Sequence, residues 1–398
     1  MYKKLDKCLC CSSGSLSMAL NLNEQPLANS YLKTAAEQEQ LFPLAINYCN
    51  VCTHIQLTHA VDPDLLFKNY LYVSGTTHTL KEYFKQFVNI VQEFTQGKTV
   101  LDIACNDGSQ LDAFKERGYD TYGVDPAENL HYLSSANHQV LCDYFNERTV
   151  KQFDRKFDVV VAQNVFAHNS YPKDFLEACK IILKPEGYIF IQTSQADMVK
   201  QNQFDTIYHE HISFFSVKSM SVLARRCGLY LKDVRRTDVH GTSFVFVLGK
   251  YGPDRSLLLN LKETELDWSI MTTYADRCNN IAKETKKLIQ TLIQQEYRVI
   301  GYGAAAKGNT FLNYAGIQEL TYIVDDNVKK VGLFTPGVRT PIHSPFTLKN
   351  EVDKICIVPL AWNFFNEIKH KVNLLVNHEK LTELKYLRYF PEVELVNA

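Results

Sequence analysis

Two Cys-x-x-Cys hooks, Cys8 with Cys11 and Cys49 with Cys52, stand near the start of this chain. A hook sets two thiolates on one tight turn, and two hooks complete a tetrahedron around Zn²⁺. The segment that carries them, residues 1–75, is rich in turn signals and too short to close a large core, so a metal staple is what lets it fold. Four thiolates leave no open coordination position, which makes such a zinc structural. Its binding supplies on the order of 10 kcal/mol of folding free energy. Cys10 and His54 lie beside the set as spare ligands, but the symmetric four-cysteine set is simpler.

The chain as a whole is too long for one domain: 398 residues imply two or three. A formal net charge of −1 gives no global pull toward nucleic acid or an anionic membrane. No apolar run at the N-terminus reaches the length of a signal peptide, and none elsewhere suits a membrane span. Cys10, Cys105, Cys142, Cys179, Cys227, Cys278 and Cys356 are scattered singly, several within apolar patterns, as reduced thiols of a cytoplasmic protein are.

Leu80, Phe84, Phe87, Val88, Val91 and Phe94 recur at helical spacing and predict an amphipathic helix over 79–95. From Lys98 on, apolar strands alternate with helical stretches: KTVLDI, TYGVD, FDVVVAQN, GYIFIQTS, then LKDVRRTDV and SFVFVLGK. This predicts a parallel sheet covered by helices on both faces. Residues 257–296 read as one or two connecting helices. A second α/β unit follows, with strands at RVIGYG, LTYIVDD and KICIVPLAW.

The turn after the first of these strands, Ala104-Cys-Asn106-Asp107-Gly108, lets a ligand approach the backbone at the carboxyl edge of the sheet. Asp102 is placed to hold the amino group of S-adenosylmethionine. Asp125, followed by Pro126, is placed for its ribose, and Asp143 for its adenine. The rival cofactor, NAD, would need the G-x-G-x-x-G spacing that this turn lacks. Ala104 stands where such loops usually carry glycine. Two polar clusters fall at the same edge: Gln163-Asn164 with His168 after the fourth strand, and Tyr208-His209-Glu210-His211 after the fifth. A metal site from His209, Glu210 and His211 is not expected, because adjacent residues rarely point at one ion.

These residues resemble the sugar C-methyltransferases that make branched-chain deoxysugars, and the resemblance runs the whole length. It is carried by Cys8, Cys11, Cys49 and Cys52; by Tyr70-x-Tyr72-x-Ser74; by Asn106-Asp107-Gly108; and by Tyr208-x-Glu210-His211. His240-Gly-Thr-Ser243 matches with Thr242 in place of a glycine. Gly301-Tyr302-Gly-Ala-Ala-Ala-Lys307-Gly-Asn309-Thr310, Val324-Asp325-Asp326 and Pro336-Gly337 complete it. The implied fold is a class I (Rossmann-like) methyltransferase core, 76–254, between a zinc-binding domain, 1–75, and a Rossmann-like α/β domain, 255–398, that helps to bind a sugar nucleotide.

The resemblance implies methyl transfer to C3 of a nucleotide-linked 4-ketosugar, dTDP- or another, through an enolate. His211 is the expected base. Glu210 would orient it or hold a sugar substituent. His168, Tyr208 and Tyr72, with Tyr70 as a substitute, would place the sugar or stabilise the enolate oxygen. Tyr302, Lys307, Asn309 and Thr310 fall in the C-terminal signature, where the small residues and Lys307 suit a diphosphate at a helix start. His240 and Ser243 are weaker candidates for lining the substrate site. An isolated Arg339 is expected to be solvated. The alternative activity is O- or N-methylation of a related nucleotide sugar or small metabolite. RNA modification with the hooks as an RNA grip is disfavoured, since no basic stripe interleaved with aromatics occurs. A monomer or weak homo-oligomer is expected, with neither nucleic acid nor membrane as partner.

Overall fold

The predicted alternation is realised as a seven-stranded sheet. The computed structural model describes residues 1–67, 75, 78–194, 198–237, 239, 242–252, 266 and 268–398. Its strands are β1 (Thr99–Ile103), β2 (Asp120–Val124), β3 (Gln139–Leu141), β4 (Phe157–Gln163), β5 (Leu183–Ser194), β6 (Tyr230–Thr237) and β7 (Ser243–Gly249). They lie in the order β3-β2-β1-β4-β5-β7-β6. β1 to β5 are mutually parallel, and β7 runs antiparallel between β5 and β6. The order reverses at β1, whose neighbours are β2 and β4. At such a switch point the strand ends part and leave room for a ligand.

Val100, Leu101, Val159, Val160, Val161 and Ala162 are fully buried, which is why these strands read as unbroken apolar runs. Helix α1 (His78–Gln92) turns Leu80, Phe84, Phe87, Val88 and Val91 inward, as their spacing predicts, and Tyr83 joins them. Phe94 is only partly buried and packs on Tyr188 and Phe190. Each fully buried ring contributes about 1.5–3 kcal/mol.

The chain divides into two units. The first holds Met1–Ser17, Asn47–Ala196 and Glu210–Asp267, and so both the cysteine hooks and the seven-stranded sheet. The second holds Met18–Ile46, Asp197–His209 and Trp268–Ala398. Of the N-terminal segment read from the sequence as one zinc-stapled piece, the stretch 18–46 therefore groups with the C-terminal residues. Arg339 is one reason. Its guanidinium donates to the carbonyls of Ala35 (2.9 Å) and Glu37 (3.2 Å), so this arginine is exposed, as its position on a turn suggests, and is also tied to that stretch.

The second unit has its own sheet, of strands β8 (Arg298–Tyr302), β9 (Ile323–Val324), β10 (Ile342–His343), β11 (Asp353–Pro359), β12 (Leu381–Arg388) and β13 (Glu394–Asn397). Their order is β10-β9-β8-β11-β12-β13. Helices Trp268–Thr272 and Tyr274–Gln294 precede it, as the charged stretch predicts.

His209 belongs to this unit. Its ring Nε2 meets the Phe42 carbonyl at 3.2 Å, its edge packs on the Phe42 ring, and its Nδ1 is buried without a partner. Burial pushes the imidazole from the usual 6.5 down to about 4. A depressed folded value means stability that is present above pH 6.5 and lost as pH falls toward 4, because the unfolded chain takes up the proton first. The whole term is about 3 kcal/mol. Both tryptophans, Trp268 and Trp362, lie in this unit, so urea unfolding followed by their fluorescence reads it directly. The midpoint should fall between pH 7 and 4.5, and less steeply in His209→Gln.

Candidate active site

The four hook thiols converge. Sγ of Cys8, Cys11, Cys49 and Cys52 all lie within 4.8 Å of one another, with Cys8–Cys52 and Cys11–Cys49 each at 3.5 Å. A tetrahedron with Zn–S of about 2.3 Å has edges of roughly 3.8 Å, so these thiols fit zinc. His54 is not among the four converging ligands, and its Nε2 lies 3.2 Å from Ser213 Oγ.

At the switch point of the first unit, Asp102 sits within β1 and opposite Gly123 and Val161. It is almost wholly buried, and burial, aided by the charges of Asp125 and Asp107, raises its carboxyl well above the usual range. Asp125 follows β2 and accepts the Asn106 and Ala127 N–H groups, both at 2.8 Å. The turn between them carries positive φ at Ala104 (61°), Asn106 (52°) and Gly108 (85°). Ala104 thus takes the backbone of the missing glycine at a cost of about 1–2 kcal/mol. A side chain at Gly108 would meet the Ser134 backbone at 3.1 Å. Nearby strand ends carry buried polar atoms without protein partners: Gln163 Nε2, Asn164 Oδ1 and Gln192 Nε2. A buried carboxyl among like charges and a row of orphaned amide atoms fit a cationic, hydrogen-bonding ligand such as S-adenosylmethionine. Asp143 lies two residues beyond β3, paired with Arg148 at 2.7 Å.

His168 closes the short turn after β4. Its ring stacks on His211 at 5.2 Å between centroids and on Phe67 at 5.5 Å. Burial depresses His168 to about 4, so it is neutral at neutral pH. Glu210 and His211 are both buried, and His211 also meets Phe214 edge-on at 6.3 Å. Tyr208 falls in the second unit. Tyr70, Tyr72 and His240 lie outside the described residues. Ser243 opens β7 and donates its hydroxyl to the Val239 carbonyl at 2.8 Å.

In the second unit, Asp325 repeats the clamp of Asp125, accepting from Ala304 N–H (2.7 Å) and Asn327 N–H (2.8 Å). Here, however, Lys330 stands 3.6 Å from the carboxylate and also donates to the Ala304 carbonyl. Lys307, at the start of helix Ala306–Ala315, faces the Trp362 ring at 5.1 Å and the buried Asp205 carboxylate. Burial raises Asp205 to about 6 despite Lys307 and the Trp362 indole N–H, which donates to it at 2.7 Å. Asn309 donates to the Ala28 carbonyl at 2.8 Å; its Oδ1 and Thr310 Oγ1 are buried without partners. The Tyr302 hydroxyl is 3.4 Å from Asp326.

Three family models match in succession: a zinc binding domain over residues 8–67, a methyltransferase domain over 76–234 and a C-methyltransferase C-terminal domain over 239–381. The C-methyltransferase NovU of Streptomyces niveus is 29% identical over 399 aligned residues, covering 92% of each chain. The chain is a methyltransferase and is similar along its length to the C-methyltransferases. A ubiquinone biosynthesis O-methyltransferase of Pseudomonas paraeruginosa is also 29% identical, but over 35% of this chain and 67% of its own. A solved methyltransferase of Archaeoglobus fulgidus covers 42% of this chain and 93% of its own, at 15% identity and a TM-score of 0.37.

The methyltransferase thus takes S-adenosylmethionine as its methyl donor and carries a structural zinc. Two contacts around these strand ends are invisible in sequence pattern alone. Tyr83 donates to Gln192 Oε1 at 2.6 Å, and Gly75 N–H donates to Asp107 at 2.9 Å. Gln192 was the available signal, a polar residue inside an apolar strand. For Gly75, a side chain would crowd the Ser109 and Asp107 side chains, which would have to shift. Asp102 yields a sharp expectation. Because its folded carboxyl is raised, its charge costs stability as pH climbs above the usual 3.8. Asp102→Asn should therefore stabilise the donor-free enzyme at neutral pH yet weaken donor binding about ten- to a hundredfold. Thermal unfolding and donor calorimetry read the two effects.

Proposed function

We propose that this C-methyltransferase methylates C3 of a nucleotide-linked 4-keto-deoxysugar in the cytoplasm, with His211 as the base. The observation that carries the reading is the His168–His211 stack at the carboxyl edge of the donor-binding sheet. A sugar carbon is no nucleophile until a proton leaves it, and the C4 carbonyl makes the C3 proton removable. The His211 imidazole takes that proton, and the C–H electron pair passes into an enolate whose charge rests on the C4 oxygen. S-adenosylmethionine supplies a sulfonium methyl group that C3 takes, the ketone re-forming and the S–CH₃ pair staying on sulfur. A neutral His168 face beside His211 lets that imidazole gain a proton without a second cation in contact. Glu210, Tyr208 and the Tyr70–Tyr72 stretch are assigned to placing the sugar and its enolate oxygen. Asp125 is assigned to the donor ribose and Asp143 to its adenine.

In this reading the chain works as three parts, 1–75, 76–254 and 255–398. Lys307 and the start of its helix hold the diphosphate of a dTDP- or related sugar. Full-length likeness to a C-methyltransferase supports carbon as the acceptor, whereas the O-methyltransferase relatives match the core alone. The test is methylation of dTDP-4-keto-deoxysugars with ¹³C-methyl donor. A ¹³C methyl signal on carbon is expected. An O-methyl or N-methyl signal, or no transfer to any ketosugar, would count against it.

A further inference from the structure

The residue after each hook reaches past the metal. Ser12 follows Cys11 and Thr53 follows Cys52, and both have φ in the left-handed region, 62° and 61°. Ser12 Oγ accepts from Arg226 Nη2 at 2.9 Å, and Arg226 Nη1 donates to the Cys10 carbonyl. Thr53 Oγ1 lies 3.0 Å from Ser216 Oγ. Ser216 is the N-cap of helix Val217–Arg226 and Arg226 is its last residue. The two hooks therefore grip one helix at both ends.

The second hook goes further. Beyond His54, whose ring meets Ser213 Oγ, the strand Ile55–Leu57 pairs antiparallel with Ser213–Phe214. Leu57 N–H donates to the Ile212 carbonyl at 2.9 Å. These ties cover residues 212–216, beginning at the residue next to His211. Thr53 is the telling member. A β-branched residue is strained at positive φ, where glycine or asparagine sits easily. The hydroxyl is what a threonine adds at that place, and its partner is the Ser216 cap.

We propose that the zinc hooks are a positioning device for the His211 imidazole and that Thr53 is the positioning residue that transmits it. The consequence for turnover rests on His211 being the base. Thr53→Gly removes the hydroxyl and relieves the backbone, so a purely structural Thr53 predicts unchanged turnover whatever the melting temperature does. The positioning role predicts retained zinc, unchanged KM for the donor, and kcat on a dTDP-4-keto-6-deoxyhexose lowered about ten- to a hundredfold. The ¹⁵N–¹H ring resonances of His211 should shift, and Thr53→Ser should restore both. Should Thr53→Gly lose zinc, Ser213→Ala breaks a tie outside the hooks and is read in the same way. Full turnover with an unshifted His211 ring in both variants overturns the proposal. If His211→Gln itself retains turnover, the base assignment fails, and the ring shift alone then decides whether the hooks position His211.

Discussion

In His211→Gln, kcat should fall by about 10²–10⁴ while donor affinity stays within twofold of the parent enzyme. The reasoning begins with carbon. Oxygen and nitrogen acceptors carry lone pairs, so an enzyme that methylates them loses little with its base. A C–H bond has no lone pair, and without proton removal there is nothing to methylate. Glutamine keeps much of the bulk and a hydrogen bond but accepts no proton at neutral pH. In the proposed site donor affinity is set elsewhere, by Asp102, Asp125 and the orphaned amides at the ends of β4 and β5. Calorimetry with S-adenosylmethionine and single-turnover methylation separate the two effects. Near-full turnover in the variant would move the chemistry to an oxygen or nitrogen acceptor.

The second large effect is expected from the metal. Stripping zinc should abolish turnover while donor binding survives. Chelation removes on the order of 10 kcal/mol from the hooks. The four thiols then lose the bond that holds the two turns together, and with them go the contacts of Ser12 and Thr53 to helix Val217–Arg226 and of strand Ile55–Leu57 to Ser213–Phe214. Glu210 and His211 stand at the start of that stretch. The donor loop is built differently, from β1, β2 and the Asp125 clamp, and none of its hydrogen bonds described above runs through a hook. Some loss of thermal stability should accompany the effect, since Cys8, Cys10, Cys49 and Cys52 pack in one apolar cluster with Leu101 and Ile103. A chelated enzyme that turns over at the parent rate would separate the zinc from catalysis.

Much of this was legible in the sequence because its signals are local. Helical spacing from Leu80 to Val91 and unbroken apolar runs at β1 and β4 follow from burial on one face or two. The hooks announce a tetrahedral metal because two residues on one turn fix two ligands. Even the departure at Ala104 is local, a residue that adopts the glycine backbone under strain. What remained hidden depends on distant partners. Nothing in the sequence pairs Arg339 with the carbonyls of Ala35 and Glu37, so the grouping of 18–46 with the C-terminal residues was not visible. Lys307 reads as a cation suited to a diphosphate at a helix start, but that Asp205 and Trp362 also face it depends on residues distant in sequence. Strands β9 and β10 have two residues each and no period to detect. The ties from the hooks to residues 212–216 run through Thr53, His54 and the strand that follows, and their partners too are distant in sequence.

The most direct measurement is deuterium wash-in. The enzyme is incubated in D₂O with a dTDP-4-keto-6-deoxyhexose, with and without S-adenosylmethionine, and the sugar is followed by mass and by ¹H spectra. Deuterium should enter at C3 in the parent enzyme, and a carbon-bound methyl should appear when the donor is present; His211→Gln should show neither. Methylation with no exchange at C3 in any donor state, together with an active His211→Gln, would contradict the enolate and the base that makes it.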